Sequence, residues 1–319
     1  MAYMKNAQAM LKNWVENGVV SIVGTGAPIS GSSGTGKSVC GPGSLYTNIS
    51  NSVVYYNEGT AENPYWTPLN YFHPSLLSWF TDFRDGVGEA LADTDAMFTI
   101  PGSGIRIFGQ GIAEADSGMT VAIAEDGAIA SITTTDEVDH LVALGVGLTT
   151  SVPFRPNSHG PLVVDSLIAM SSAITLRSLF LGFIGTAADA LDPPVTGSSV
   201  TATLVQDDLA GMIFDVGLTD ADRLYAVHNK SNEAASQNVT TGGRDTGVDF
   251  PAAGTYARLR VEISAAGMMT CFKNKIQVAQ VVAALDVDEE VAPVVLVRST
   301  STAVKTMLAK HFATWGNRN

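Results

Sequence analysis

The chain has few of the residues that cross-link or charge a protein. Its 319 residues include two cysteines, Cys40 and Cys271, and only 15% of the residues are charged. Two thiols this far apart in the sequence form neither a disulfide framework for so long a chain nor a metal site by themselves. We therefore expect free, mostly buried thiols and synthesis in a reducing compartment, and a single bridge between the two is the alternative.

Long apolar runs are absent as well. No stretch approaches the roughly 20 apolar residues that a membrane-spanning helix needs. Met1–Val20 lacks the apolar core of a signal peptide, because three charged residues interrupt it. The formal net charge of −13 predicts that the molecule repels nucleic acid and anionic membranes. We therefore expect neither nucleic acid nor membrane as a partner.

Patterns typical of catalytic and zinc sites are also missing. The five histidines are scattered, without the HxxxH or HExxH spacing that would bring two of them to one metal ion. No serine stands in the G-x-S-x-G turn of an α/β-hydrolase. From these absences we expect that the protein is not an enzyme and that it holds no metal and no cofactor.

One segment invites the opposite conclusion. Gly31–Ser38 matches the phosphate-binding P-loop pattern GxxxxGK[ST] at every position. A working P-loop needs a strand that ends at its first glycine and a helix that begins at its Lys-Ser pair. The apolar run Val19–Val23 ends well before that glycine, and Gly41–Gly43 with its central proline would break the helix. We interpret the match as fortuitous, and an ATPase that uses Lys37 is the alternative.

Acidic residues cluster in predicted turns. Within residues 136–139 and 286–290, acids two positions apart would share one face of a strand, as the carboxylate pair of a glycosidase requires. Both clusters lie in predicted turns, so we interpret them as solvated. A structural calcium site that adds Asp192, Asp220 and Asp222 is the alternative, because calcium takes oxygen ligands from loops.

What the chain does have is a clear β pattern at Thr255–Val282. From Ala257 to Ser264 apolar residues alternate with polar ones, so a strand here would have one apolar face and one mostly charged face. Two turns then separate the further strands Met268–Phe272 and Ile276–Val282. A meander with one solvated face is typical of a β-sandwich.

Further candidate strands recur about every ten residues after Gly86, which is the spacing of a sandwich or barrel. They are Ala96–Phe108, Met119–Ala124, Ala128–Thr133, His140–Val146, Leu162–Met170, Ala173–Phe183, Ser199–Leu204, Met212–Val216, Arg223–Val227, Val291–Val297 and Val304–Phe312. The change of texture predicts two domains, an attachment region at residues 1–88 and a sandwich at residues 89–319.

The portion before the sandwich is more mixed. An apolar stripe predicts a helix over residues 1–17, and the Gly-, Ser- and Pro-rich segment Ser21–Gly43 predicts a loop or an extended arm. Ser44–Thr47 and Val53–Tyr56 predict a hairpin. For His73–Asp85 we expect a short helix, because a proline suits its first turn and its apolar residues share one side.

Two parts of the chain resemble structural proteins of bacteriophage virions. Pro42–Thr60, followed by Pro64–Trp66, is similar to a small hairpin common in such proteins. Leu204–Asp208, Phe214–Asp220 and Leu259–Ile263 resemble phage structural proteins with a concanavalin-like or laminin-G-like jelly roll. The resemblance implies a mainly β protein, a concanavalin-like antiparallel jelly-roll sandwich preceded by an extended N-terminal arm with a short helix and a hairpin. It supplies no catalytic residues.

The function implied by this resemblance is that of a decoration or cement protein on the outer surface of a virion head, made in the host cytoplasm. The arm would bind the major capsid protein, and the protein would form a homo-oligomer. The predicted partner-binding residues are Trp14, Leu45, Tyr46, Tyr55, Tyr56 and Trp66. The alternative is a carbohydrate-binding, lectin-like fibre or host-attachment module, which would bind surface glycans on a concave face or at loop tips.

Overall fold

The computed structural model describes residues 18–84, 89–90, 97–100, 102–109, 118–124, 127–134, 138–146, 154–171, 177–185, 194–231 and 233–318. The N-terminal strands are β1 (Ser21–Gly24), β2 (Leu45–Asn48), β3 (Val53–Asn57), β4 (Trp66–Pro68) and β5 (Leu76–Thr81). The next strands are β6 (Glu89–Ala90), β7 (Met97–Thr99), β8 (Arg106–Gly109), β9 (Gly118–Ala124), β10 (Gly127–Thr133), β11 (Leu141–Gly145), β12 (Leu162–Met170) and β13 (Arg177–Gly185).

The remaining strands are β14 (Val195–Ser198), β15 (Thr201–Leu204), β16 (Leu209–Asp215), β17 (Arg223–Asn229), β18 (Ser236–Asn238), β19 (Asp245–Asp249), β20 (Ala257–Ile263), β21 (Met269–Lys273), β22 (Ile276–Val281), β23 (Val291–Ser299) and β24 (Thr306–Asn317). Among the described residues there is one short helix, α1 (Pro156–His159), which precedes β12. No helix within the described ranges is long and apolar enough to cross a membrane.

Two large antiparallel sheets face each other. The back sheet has the order β22-β21-β20-β12-β24-β10-β9-β6, and β5 pairs with the C-terminal half of β24. The front sheet has the order β19-β17-β16-β13-β23-β11-β8-β7. The chain passes repeatedly from one sheet to the other, so neighbouring strands are often distant in sequence. This topology confirms the predicted concanavalin-like antiparallel sandwich.

The main core lies between the two sheets. Leu259 and Val261 of β20 enter it from the back sheet, and Leu179 and Leu181 of β13 enter it from the front sheet. These four side chains are fully buried, and each contributes about 1.5–3 kcal/mol to folding through the apolar surface that it removes from water. The alternation predicted for Ala257–Ser264 is therefore confirmed on its apolar face.

The outer faces of both large sheets are covered in part. The N-terminal sheet, β1-β2-β3-β4, contacts the outer face of the back sheet through side chains of β12 and β20. The small sheet, β14-β15-β18, lies on the front sheet. A second apolar cluster fills that contact, with Phe180 and Ile213 from the front sheet against Val195 and Leu204 from the small sheet. The strands β13 and β16 consequently present no open concave face at these positions.

The helix predicted for His73–Asp85 is wrong, because Leu76–Thr81 forms strand β5. The apolar residues of this segment fit a helical stripe, but they also fit a strand that is buried on both faces. Leu77 and Trp79 pack against the main core, while Phe80, one position further along, stacks on Tyr71. Pairing with β24 thus decided between the two periodicities.

The described part of the predicted arm differs from an extended segment. Ser21–Gly24 forms β1, parallel to β2, and the glycine-rich residues that follow contact the sandwich. For example, the Ser32 N–H donates to Gln277 Oε1 at 2.7 Å. The predicted hairpin is confirmed, since β2 and β3 pair in antiparallel register. The helix predicted over residues 1–17 lies outside the described residues.

The predicted domain boundary between residues 88 and 89 stays a prediction. One strand of the first predicted domain, β5, belongs to the back sheet of the second. The prediction of free, buried thiols is confirmed for Cys40 and Cys271.

Candidate functional site

A groove of about 330 Å³ lies where the loop before β5, the strand itself and the end of the chain after β24 meet. Phe72, His73, Trp79 and Arg318 line it, together with Pro74 and the residues of β5 from 76 to 78. Its volume is at the lower end of the range of about 300–1,000 Å³ that is usual for small-molecule sites. A groove of this size accommodates one or two sugar rings.

The loop before β5 is shaped by local hydrogen bonds. Asn70 Oδ1 accepts the Phe72 N–H at 2.9 Å, which is the turn that an asparagine side chain forms with backbone two residues further on. The His73 carbonyl accepts the Leu76 N–H at 2.9 Å. These bonds hold the backbone of the loop while the Phe72 side chain remains 78% exposed. The aromatic ring therefore lies at the groove in contact with water.

The other walls of the groove are fixed by packing and by pairing. The Trp79 ring meets the buried Phe154 ring edge to face, with centroids 5.7 Å apart. Arg318 is anchored through its backbone, whose N–H donates to the Ser75 carbonyl at 2.8 Å, while its side chain is exposed. The groove therefore has an aromatic wall held by packing, and a cationic residue whose backbone is bonded to the loop that carries Phe72.

The groups that line the groove are suited to binding a ligand. It combines ring surfaces with N–H groups, and none of the described residues that line the groove is acidic. Glycoside hydrolysis by the usual pair of carboxylates therefore has no basis in this groove. Sequence reasoning missed the site, because His73–Asp85 was interpreted as a helix and Arg318 lies more than 200 residues away.

A second cluster of polar side chains lies between the N-terminal sheet and the back sheet. Asp165 of β12 accepts hydrogen bonds from Arg258 Nε at 2.9 Å and from Arg260 Nε at 2.7 Å. Tyr65 Oη donates to the same carboxylate at 2.8 Å, and His311 Nε2 lies 3.1 Å from it. Although burial alone would raise the pKa of Asp165, the two guanidinium groups and the His311 hydrogen bond hold it well below its ordinary value of 3.8.

The Arg260 side chain completes this cluster and is fully buried. Its guanidinium carbon lies 3.6 Å from the centroid of the Tyr65 ring, and its terminal nitrogens donate to the Trp66 carbonyl at 2.8 Å and to Thr67 Oγ1 at 2.9 Å. Trp66 and Thr67 belong to β4 of the N-terminal sheet, and Tyr65 directly precedes that strand. The charged face of β20, which the sequence pattern placed in solvent, is therefore the contact that attaches this sheet to the sandwich.

The six residues predicted to bind a partner lie in different environments. Trp14 lies outside the described residues. Three aromatic side chains are buried in the core of the N-terminal sheet: Tyr46, Tyr55 and Trp66. Leu45 is 37% exposed, and the half-buried Tyr56 donates a hydrogen bond to Glu58. Of the described residues in this set, Leu45 and Tyr56 have surface open to a partner, and partner binding itself stays a prediction.

Gly31–Ser38 does not adopt the geometry of a phosphate-binding loop. It consists of turns, and no helix begins at Lys37. Six of its backbone N–H groups donate within the fold, and three of these bonds, to Pro64 O, Gln277 Oε1 and Ala61 O, are 2.7–2.8 Å long. These donors are therefore not directed at a phosphate, and the interpretation of the motif as fortuitous stays a prediction.

The acidic residues considered for calcium are only partly brought together. Carboxylate oxygens of Asp220, Asp222 and Asp249 lie within 4.8 Å of one another, and the sequence did not single out Asp249. Arg223 lies among them, with its guanidinium 2.8 Å from Asp249 and 3.2 Å from Asp220. The negative charge of the group is thus compensated in part by an arginine. Asp192 lies outside the described residues.

Comparison with known proteins gives a likeness of fold. No family model and no curated protein sequence matches the chain. Among solved structures, the chain is similar to the carbohydrate recognition domain of Emp47p, with 8% identity, a TM-score of 0.42 and coverage of 76% of this chain and 98% of that one. It is also similar to peanut lectin, with 9% identity, a TM-score of 0.42 and coverage of 76% and 97%. A third similar structure is a β-glucanase of Bacillus licheniformis, with 9% identity, a TM-score of 0.39 and coverage of 74% of this chain and 97% of that one.

Proposed function

We propose that the protein binds carbohydrate and that the groove between Phe72 and Arg318 is its binding site. The observation that carries this proposal is an exposed aromatic ring on a groove that is otherwise lined by a second aromatic ring and by N–H donors. A flat ring covers the C–H face of a pyranose, while N–H groups donate to its oxygens. The sugar would supply both kinds of contact at once.

The exposure of Phe72 supports the same conclusion on energetic grounds. A side chain of this kind contributes about 1.5–3 kcal/mol to stability when it is fully buried, and most of that is forgone here. Local hydrogen bonds hold the backbone of its loop, so binding does not have to order that backbone.

A glycan array probed with the full-length protein tests the proposal. We expect saturable, competable binding to a subset of glycans, and Phe72→Ala should weaken it by about tenfold through loss of the apolar contact. Val282→Ala is the matched control, because Val282 is equally exposed, at 79%, and lies outside the groove. Failure of every glycan on the array to bind, or equal binding by the Phe72→Ala protein, would overturn the proposal.

A second candidate is the structural virion protein predicted from the sequence, attached to the major capsid protein on the outer surface of the head. What favours it is the outward face of the N-terminal sheet, where Val23 is 69% and Leu45 is 37% exposed. Apolar side chains that lie together on a surface are typical of protein contacts. Because the predicted arm is folded against the sandwich in its described part, the attachment surface would be this sheet.

Co-sedimentation with assembled capsid shells distinguishes this second candidate from the first. Val23→Asp combined with Leu45→Asp should release the protein from the shells without changing its glycan binding. Ile123→Asp, at an exposed position of β9, is the control. Unchanged occupancy of the shells by the double variant would reject attachment through this face.

A further inference from the structure

We propose that the groove selects acidic sugars, and that Arg318 and His73 bind the carboxylate of the sugar. The inference rests on the proposed function and adds the charge class of the ligand. It follows from the hydrogen-bonding inventory of the lining and from the state of Arg318 in an acidic protein.

Most polar side chains of the groove are donors. His73 Nδ1 accepts the Ser75 N–H at 3.2 Å, so the neutral imidazole carries its proton on Nε2 and donates from there. No hydrogen bond joins the Trp79 indole N–H or the Arg318 guanidinium to any other residue in the described ranges. The indole and the guanidinium are donor-only groups. Three side chains of the lining thus carry a donor that no described residue accepts.

Acceptors are scarce in the same lining. It contains no carboxylate among the described residues, and its one side-chain oxygen there, Ser78 Oγ, donates its proton to the Tyr71 carbonyl and keeps its lone pairs as an acceptor. The hydroxyl groups of a neutral sugar both donate and accept, so their protons would find few partners here. A carboxylate accepts only, and it matches a guanidinium with two parallel hydrogen bonds. The lining is therefore complementary to a sugar acid.

Arg318 also differs from the arginines of this chain that are held in ion pairs. Arg258 and Arg260 are paired with Asp165, and Arg298 lies 3.1 Å from Asp215. Arg318 has no acidic side chain within 4.0 Å in the described part of the chain. In a molecule with a net charge of −13, a guanidinium without a carboxylate, set beside aromatic rings, is a local positive centre that attracts an anion.

Calorimetric titration of the full-length protein with matched pairs of sugars tests this inference. The probes are a galacturonate oligosaccharide and its methyl ester, which has the same rings without the charge, and glucuronic acid with glucose. We expect the acids to bind at least about tenfold more tightly than their neutral partners, since charge-assisted hydrogen bonds are roughly twice as strong as neutral ones. Arg318→Gln should abolish the difference in affinity between each acid and its neutral partner.

Two further variants make the result specific to the groove. Lys37→Gln removes one exposed positive charge at a residue that does not line the groove, and it should leave the preference intact. His73→Gln keeps a donor in place of the imidazole and should reduce the preference less than Arg318→Gln does. An unchanged melting temperature of Arg318→Gln shows that its effect comes from the groove, because its side chain is exposed.

The possible failures point to different errors. Equal affinity for each acid and its neutral partner would overturn the inference and leave carbohydrate binding in place. A preference for acids that survives in Arg318→Gln would overturn the assignment of the carboxylate site. If neither these probes nor any glycan on the array binds, the proposed function falls, and the inference falls with it.

Discussion

At the scale of single residues, Asp165 shows how this fold keeps a carboxylate ionised in its interior. An isolated charge away from water is unfavourable by several kcal/mol, and Asp165 is fully buried. Hydrogen bonds from Arg258, Arg260 and Tyr65 satisfy both of its oxygens. The carboxylate is therefore held by its partners, and those partners depend on it in turn.

Replacement of Asp165 by asparagine should be strongly destabilising. The change leaves the buried guanidinium of Arg260 without its carboxylate, so we expect the free energy of unfolding to fall by about 3–5 kcal/mol. Urea denaturation measures the loss. Asp222→Asn is the control, since Asp222 is half-buried with no buried ion pair, and it should change stability by about 0.5 kcal/mol or less. A loss at Asp165 no larger than at Asp222 would contradict the assignment.

The pH dependence of that loss follows from the pKa of Asp165. Its partners hold this pKa well below the ordinary value of 3.8, so the unfolded chain takes up the proton more readily than the folded one. The stabilisation is therefore fully present above pH 3.8 and is lost as the pH falls towards the folded-state pKa. The difference in unfolding free energy between the wild type and Asp165→Asn should stay constant from pH 7 to about pH 5 and narrow below pH 3.8. If the difference in unfolding free energy between the two proteins instead grows as the pH falls, the pKa of Asp165 is not lowered by folding and the prediction is wrong.

At the scale of elements, the sequence predicts strands better than it predicts what covers them. The alternation of Ala257–Ser264 correctly identified β20 and its apolar face. Periodicity carries no information about the partner of the polar face, which packs against the N-terminal sheet here. For the same reason β5 was mistaken for a helix, because its pairing with β24 joins segments more than 200 residues apart. The candidate groove depends on that long-range pairing and was therefore out of reach.

The N-terminal sheet and the sandwich should unfold as one unit. Tyr65 joins them, with its ring packed edge to face against Phe272 at 5.3 Å and stacked under Arg260. Tyr65→Ala should reduce the unfolding free energy by about 3–5 kcal/mol, as large aromatic truncations in a core do, whereas Tyr65→Phe keeps the ring and should lose about 1–3 kcal/mol with the hydrogen bond to Asp165. Far-UV circular dichroism and tryptophan fluorescence should report the same transition in the wild type. Two separate transitions would show that the sheet is an independent unit.

At the scale of the whole molecule, the arrangement of layers limits where a ligand can bind. The N-terminal sheet covers part of the back sheet with a buried charge cluster, and the small sheet covers part of the front sheet with an apolar cluster. A sugar site on the concave face, one of the two places expected for the lectin-like alternative beside the loop tips, would have to displace the small sheet over β13 and β16. The groove beside β5 needs no such displacement, which is why the proposal places the ligand there.

Because the cluster under the small sheet and the groove lie in different places, we expect one phenylalanine, Phe180, to matter for stability and another, Phe72, to matter for glycan binding. Phe180→Ala empties part of the cluster under the small sheet, where the ring is 1% exposed, and should lower the unfolding free energy by about 3–5 kcal/mol. Below its melting temperature that variant should bind glycan with unchanged affinity, because the groove is built on the other large sheet. Phe72→Ala should do the reverse, with a change in stability of about 0.5 kcal/mol or less and weaker glycan binding. Calorimetric titration beside thermal melting of both proteins decides the matter: a loss of affinity in Phe180→Ala with no loss in Phe72→Ala would move the binding site to the front sheet.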